Sequence, residues 1–180
     1  TWGFQNNGGL GHNQGAALYS SPVQVPGTQW SNLIHAGYST NGAVKTDGTL
    51  WMWGDNSAGV LGQNDKVSRS SPIQIPGTQW SYGVAGGTNM VMAIKTDGTV
   101  WAWGKNVDGY LGQNDRANRS SPVQIPGTWS SISSSYWHRA GIKTDGTLWT
   151  WGLDRDGGLG HNVRDIARSS PTQIPGTEWS

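Results

Sequence analysis

The residues able to do chemistry are few, and nearly all of them recur. The chain has four histidines, His12, His35, His138 and His161, and no cysteine. Without cysteine there is no disulfide, no thiolate zinc site and no thiol nucleophile. A catalytic histidine needs an acid to orient it and a nucleophile within reach. Many of the serines sit in Ser-Ser-Pro, repeated at 20–22, 70–72, 120–122 and 169–171, which reads as turn chemistry. His12 and His161 each follow Leu-Gly, where other copies carry Gln63 and Gln113. Histidine and glutamine exchange there as hydrogen-bonding groups, so no catalytic residue and no cofactor is expected. Asp55-Asn56, Asn106 with Asp108, and Asp154 with Asp156 lie in glycine-rich loops and offer oxygen ligands. None has the spacing of a calcium loop or its closing glutamate. Asx side chains at such places cap turns, and no metal site is expected.

The tryptophans pose a sharper choice. Trp51 with Trp53, Trp101 with Trp103, and Trp149 with Trp151 form repeated pairs. Such rings stack on sugars or fill a core. A side chain required in every copy is required by the fold, so these six, with Gly54, Gly104 and Gly152, are assigned to the repeat core. The segment 130–139 departs from its counterparts and brings Tyr136, Trp137, His138 and Arg139 together. Aromatic residues and arginine anchor interfaces, which makes these four the candidate partner-binding residues. The alternative is a locally degenerate strand. The loops 63–69, 113–119 and 161–168 also differ between copies, as recognition loops or drifting surface do.

The elements that hold these groups follow from the repeat, which is the first thing to seek in such a chain. Lys-Thr-Asp-Gly-Thr begins at Lys45, Lys95 and Lys143. Trp-Gly recurs at Trp2, Trp53, Trp103 and Trp151, and Pro-Gly-Thr at Pro26, Pro76, Pro126 and Pro175. The period is about 50 residues. Each copy predicts four strands, in the second copy near 32–36, 43–45, 49–53 and 71–75. Asp47-Gly48 predicts a two-residue type I′ turn. Pro72 and Pro76 make the fourth strand an edge, because proline cannot donate to a ladder. Trp51 and Trp53 alternate with Leu50 and Met52, so both faces of the third strand are apolar and need cover. No segment has a helical period. The expected fold is all-β, a propeller of four-stranded blades, in one segment 1–180 with repeats at about 1–30, 31–80, 81–129 and 130–180.

The pattern Ala36-Gly37, Ala43-Val44-Lys45-Thr46-Asp47-Gly48, Trp53-Gly54-Asp55-Asn56, Gly59-Val60-Leu61-Gly62 resembles the repeat of the regulator of chromosome condensation (RCC1) family, in a bacterial or phage-like version. The resemblance covers essentially the whole chain. It implies a seven-bladed propeller and a spread of functions: nucleotide exchange on a small GTPase with chromatin binding, photoreception, ubiquitin-ligase parts, and bacterial or phage proteins. The family's histidine after Ala-Gly survives only as His138, with Thr40 and Met90 in the other copies. No insertion resembles the wedge of the exchange factors.

Charge is sparse, with Lys+Arg 12, Asp+Glu 11 and a formal net charge of +1. A near-neutral chain with scattered cations is not expected to bind nucleic acid. No apolar run approaches the length of a membrane helix. The chain opens within a third strand and stops where a first strand should begin. A piece of a longer chain is expected, or a partner that completes the ring. The expected function is a non-enzymatic interaction or structural module at a cell surface or on a virion, contacting protein partners or like chains. A lectin-like glycan binder and a guanine nucleotide exchange factor are the alternatives.

Overall fold

The computed structural model describes residues 1–179 except 6, 15–16, 38 and 87–88. Among them lie a strand pair, β1 (Gly3–Gln5) and β2 (Ala17–Tyr19), and three four-stranded antiparallel sheets. The second blade holds β3 (Trp30–Ala36), β4 (Thr40–Lys45), β5 (Leu50–Gly54) and β6 (Arg69–Gln74). The third holds β7 (Trp80–Gly86), β8 (Met90–Lys95), β9 (Val100–Gly104) and β10 (Arg119–Ile125). The fourth holds β11 (Trp129–Ser134), β12 (His138–Lys143), β13 (Leu148–Leu153) and β14 (Ala167–Gln173). Within each four-stranded sheet every strand pairs with the next in sequence, so these three blades are meanders whose proline-bearing fourth strand is an edge. The ladder between β5 and β6 shifts register between Met52 and Gly54, opposite the segment that contains Pro72. Neighbouring blades touch where the first strand of one, β7 or β11, packs on the first and second strands of the blade before it.

The turn between β4 and β5 differs from its sequence expectation. A type I′ turn needs positive φ at both central residues, yet Gly48 at +78° is the one residue of this turn that has it. Gly48 N–H donates to Lys45 O at 2.9 Å, and Lys45 N–H to Thr49 O at 2.8 Å. The loop therefore has three residues, 46–48, with glycine in the left-handed position. The cause is Asp47: its carboxylate accepts the Thr49 N–H at 2.9 Å and the Thr49 hydroxyl at 2.6 Å. That local ring holds the aspartate at negative φ and leaves the left-handed step to glycine. The same bonds recur at Asp97 and Asp145.

The core lies between blades. One cluster joins Val44, Leu50, Met52, Leu61 and Ile75 of the second blade to Trp80, Val91 and Trp103 of the third. The other joins Met92, Val100, Leu111 and Ile125 of the third to Trp129, Ile132 and Trp151 of the fourth. A single sheet has two apolar faces and buries neither alone, so stacking is what makes the fold.

Candidate functional site

The paired tryptophans divide by position. Trp53, Trp103 and Trp151 are 4%, 0% and 0% exposed. Their indole N–H groups cross to the preceding blade and donate to Gly9 O at 3.0 Å, Val60 O at 2.7 Å and Tyr110 O at 3.0 Å. Trp51, Trp101 and Trp149 are half-buried and donate within their own blade to Thr49, Thr99 and Thr147. Lys45 Nζ sits 4.2 Å from the Trp51 ring and 5.0 Å from Trp30, and Lys143 Nζ 3.7 Å from Trp149. These rings already carry a cation on one side. Gly104 and Gly152 have φ of +103° and +101°, and a Cβ would lie 2.5 Å from Asn89 O or 2.7 Å from Trp137 O. Gly54, at +112°, would likewise press on Ser39 O.

His12, His161 and the loop Asx residues are engaged in local hydrogen bonds, while His35 lies in β3 and His138 opens β12. The Thr1 and Thr150 hydroxyls donate to Leu10 O and Leu159 O, and so accept from Nε2 of His12 and His161. Gln63 Nε2 does similar work, donating to Leu61 O at 3.0 Å and Gln74 O at 2.9 Å. Burial holds His35 down at about 4 and lowers His161 too. Asn56 and Asn106 are fully buried, and each accepts a loop N–H, from Leu61 or Leu111, at 2.8 Å. Among the described residues no three His, Asp or Glu side chains gather as metal ligands.

The unrepeated segment has two faces. Tyr136, in the turn from β11 to β12, is 48% exposed. It meets half-buried Trp137 edge-to-face, with ring centroids 4.3 Å apart. The Arg155 guanidinium, from the β13–β14 loop, lies 4.7 Å from the Trp137 ring. His138 is half-buried and faces Gly158, where a Cβ would lie 3.1 Å from its ring. Arg139 turns inward and is 0% exposed. Its Nη1 donates to Ser135 O at 2.8 Å and His138 O at 3.0 Å, while Nε and Nη2 have no partner. The guanidinium stacks 4.6 Å from the Tyr110 ring, whose hydroxyl donates to Asp108 at 2.6 Å. Burial pulls Arg139 down to about 10, so it remains a cation at neutral pH. Burial first, and the Asp108 bond second, push the Tyr110 hydroxyl well above its usual value.

The structure thus brings Tyr136 and Trp137 to one outer rim with Arg155, and sends Arg139 into the junction with the third blade. The sequence does not single out Arg155 or Tyr110, and it marks Asp108 as a turn cap rather than as the acceptor for the Tyr110 hydroxyl. Aligning copies carries the signal for the inward arginine, since its counterparts are Asn41 and Val91, and Val91 is 3% exposed. A separate cleft of about 470 Å³ opens near the first strands of the third and fourth blades, lined by Ser81, Ile94, Lys95, Trp129 and Ile132.

Three stretches, 47–94, 97–142 and 145–179, match the family described as "Regulator of chromosome condensation (RCC1) repeat". Each matched stretch begins at the glycine turn and runs into the next sheet, so the sequence repeat bridges two blades. No curated protein matches the sequence. Among solved structures, human WBSCR16 is similar with TM-score 0.79 at 18% identity, over 96% of this chain and 47% of that one. Yeast RCC1 (Prp20), solved with bound Kap60, is similar with TM-score 0.71 at 19% identity, over 98% of this chain and 45% of that one. Prp20p from Saccharomyces cerevisiae, in a study of its binding to Gsp1p and histones, gives 0.69 at 18%, over 80% and 38%. The chain spans under half the length of these relatives. The fold is shared with them, and by the three matched repeats the chain belongs to the regulator of chromosome condensation (RCC1) repeat family.

Proposed function

We propose that this propeller segment works by binding a protein partner and performs no chemistry, with Tyr136, Trp137 and Arg155 as the contact. The observation that supports it is the exposed Tyr136–Trp137 edge-to-face pair capped by Arg155, in the connection where Trp137 stands in place of Ser39 and Asn89 of the other copies. Rigid aromatics and arginine are what interface centres are made of. His138 and Arg139 serve as the support: Arg139 pins the turn through Ser135 O and stacks on Tyr110 of the neighbouring blade. The repeated Trp51, Trp101 and Trp149 are occupied by lysines, which favours a protein contact over a row of sugar platforms. We extend the proposal to a cell surface or virion, supported by the sparse charge of the chain. Affinity capture with wild type and with a Tyr136→Ala/Trp137→Ala chain tests the contact. A partner retained by wild type and by a Val67→Ala control, but lost from the double variant, is expected. Equal retention by all three chains overturns the assignment. Accelerated nucleotide release from a small GTPase overturns the non-catalytic reading.

A further inference from the structure

In each four-stranded sheet one residue near the start of the second strand meets the blade before it, and a residue at the end of the first strand lies opposite in the ladder. In the second blade this pair is Ala36 and Asn41, and in the third Ala85 and Val91. Both second-strand residues are satisfied: Asn41 Nδ2 donates to Gly9 O at 2.6 Å, and Val91 is 3% exposed in the core. In the fourth blade the pair is Ser134 and Arg139. Here three buried polar atoms, Ser134 Oγ with Nε and Nη2 of Arg139, have no partner.

Nε and Nη2 share one edge of the guanidinium, so their N–H groups form a two-pronged fork. The rest of the group is fixed. Nη1 donates to Ser135 O and His138 O, and the Tyr110 ring covers one face at 4.6 Å. Ser134 stands directly across the ladder on the same side, at a spacing of about 5 Å between Cβ atoms, and adds a hydroxyl. Among the described residues no carboxylate pairs with Arg139. The ion pairs there are Arg69 with Asp65 and Arg119 with Asp115, while Asp108 accepts the Tyr110 hydroxyl. A buried cation is costly to keep unless a counter-charge meets it.

We propose that the Arg139 fork and the Ser134 hydroxyl bind a small monovalent anion, a halide or a short carboxylate, inside the junction of the third and fourth blades. The fork presents two parallel donors, the arrangement that a carboxylate accepts with both oxygens and a halide with one atom. Burial sets the size: Arg139 is 0% exposed, so a tetrahedral oxyanion has no room for its remaining oxygens. The anion supplies the charge that this chain does not, at the one junction where the repeat's apolar or amide residue has become an arginine. The site lies within the stack and stands whether or not the Tyr136–Trp137 rim holds a partner.

Arginine-¹⁵N spectra of wild type, Ser134→Ala and Arg139→Met test this. The buffer salt is sodium gluconate, whose anion is too large for the site. The Arg139 Nε–H signal is the one that Arg139→Met lacks and Ser134→Ala displaces. Chloride, formate and sulfate are then titrated in turn at constant ionic strength. A saturable shift with chloride or formate, and none with sulfate, is expected. Chloride alone marks a halide site, and a response to formate marks a carboxylate site. Ser134→Ala carries the residue of the other two blades, so it should fold and bind several-fold more weakly. Urea unfolding gives a second readout. At ten times the dissociation constant, the folded-to-unfolded ratio of wild type should rise about elevenfold, a saturable rise absent from Arg139→Met. A signal that no anion moves, one that all three salts move alike without saturating, or a urea midpoint raised equally in wild type and Arg139→Met would each overturn the proposal.

Discussion

Replacing Trp103 by phenylalanine removes one N–H and one fused ring from a fully buried site. The N–H donates to Val60 O at 2.7 Å across the junction of the second and third blades. Leaving that buried carbonyl without a donor costs about 1–3 kcal/mol. The space left by the missing ring adds about 1–2 kcal/mol, because packed neighbours collapse only in part. Trp103→Phe should therefore lose about 3 kcal/mol. Trp101→Phe is the matched control, two residues away on the same strand. Its indole is half-buried and bonds Thr99 within its own blade, in a turn that water reaches. Its loss should be about 1 kcal/mol or less. Urea unfolding followed by tryptophan fluorescence measures both as shifts in midpoint at constant slope. Equal losses in the two variants would refute the argument that blades are locked by the inner tryptophan of each pair.

Other outcomes follow from single positions. Gly104→Ala should cost about 3 kcal/mol, since its Cβ meets Asn89 O at φ +103°, whereas Gly3→Ala at φ +110° with open space should cost about 1 kcal/mol. Thermal melts of the two variants compare them directly. His35 is held at about 4 against an ordinary 6.5, so its neutral form is the folded one. Its contribution is complete above 6.5 and is lost as pH falls from 6.5 toward 4, at no more than about 1.4 kcal/mol per pH unit. Urea midpoints across that window should flatten in His35→Gln, and an unchanged slope would refute the assignment. Arg139→Met should leave stability level or raised, because two of its buried guanidinium nitrogens lack partners, while Arg139→Ala should lower it by about 3 kcal/mol. Equal losses in the two variants would show that the charge itself holds the junction.

Much of the fold was legible because the residues that build it recur. Lys-Thr-Asp-Gly-Thr marked each second hairpin, and Pro72 marked the sheet edge. The turn type was not legible, because the side-chain bonds from Thr49 to Asp47, rather than the Asp-Gly pair alone, decide which residue takes positive φ. The family's breadth of function leaves the site less legible than the fold. Trp137 stood out by breaking the repeat, while Tyr136 has a counterpart in Tyr38. The inward course of Arg139 did not, because its stacking partner Tyr110 comes from another blade. Nothing in the sequence distinguishes Arg155, and only the folded chain sets it over Trp137. Trp53 and Trp51 read alike in sequence, although one crosses a junction and the other stays in its blade.

The central claim is that one indole-to-carbonyl lock, repeated at each junction, holds this RCC1-type stack together. Hydrogen exchange at the indole N–H groups of the ¹⁵N-tryptophan-labelled chain tests it most directly. In dilute solution, Trp53, Trp103 and Trp151 should exchange slowest, Trp51, Trp101 and Trp149 faster, and Trp2 with the solvent-exposed rate. Indoles of the two sets exchanging alike would contradict the account.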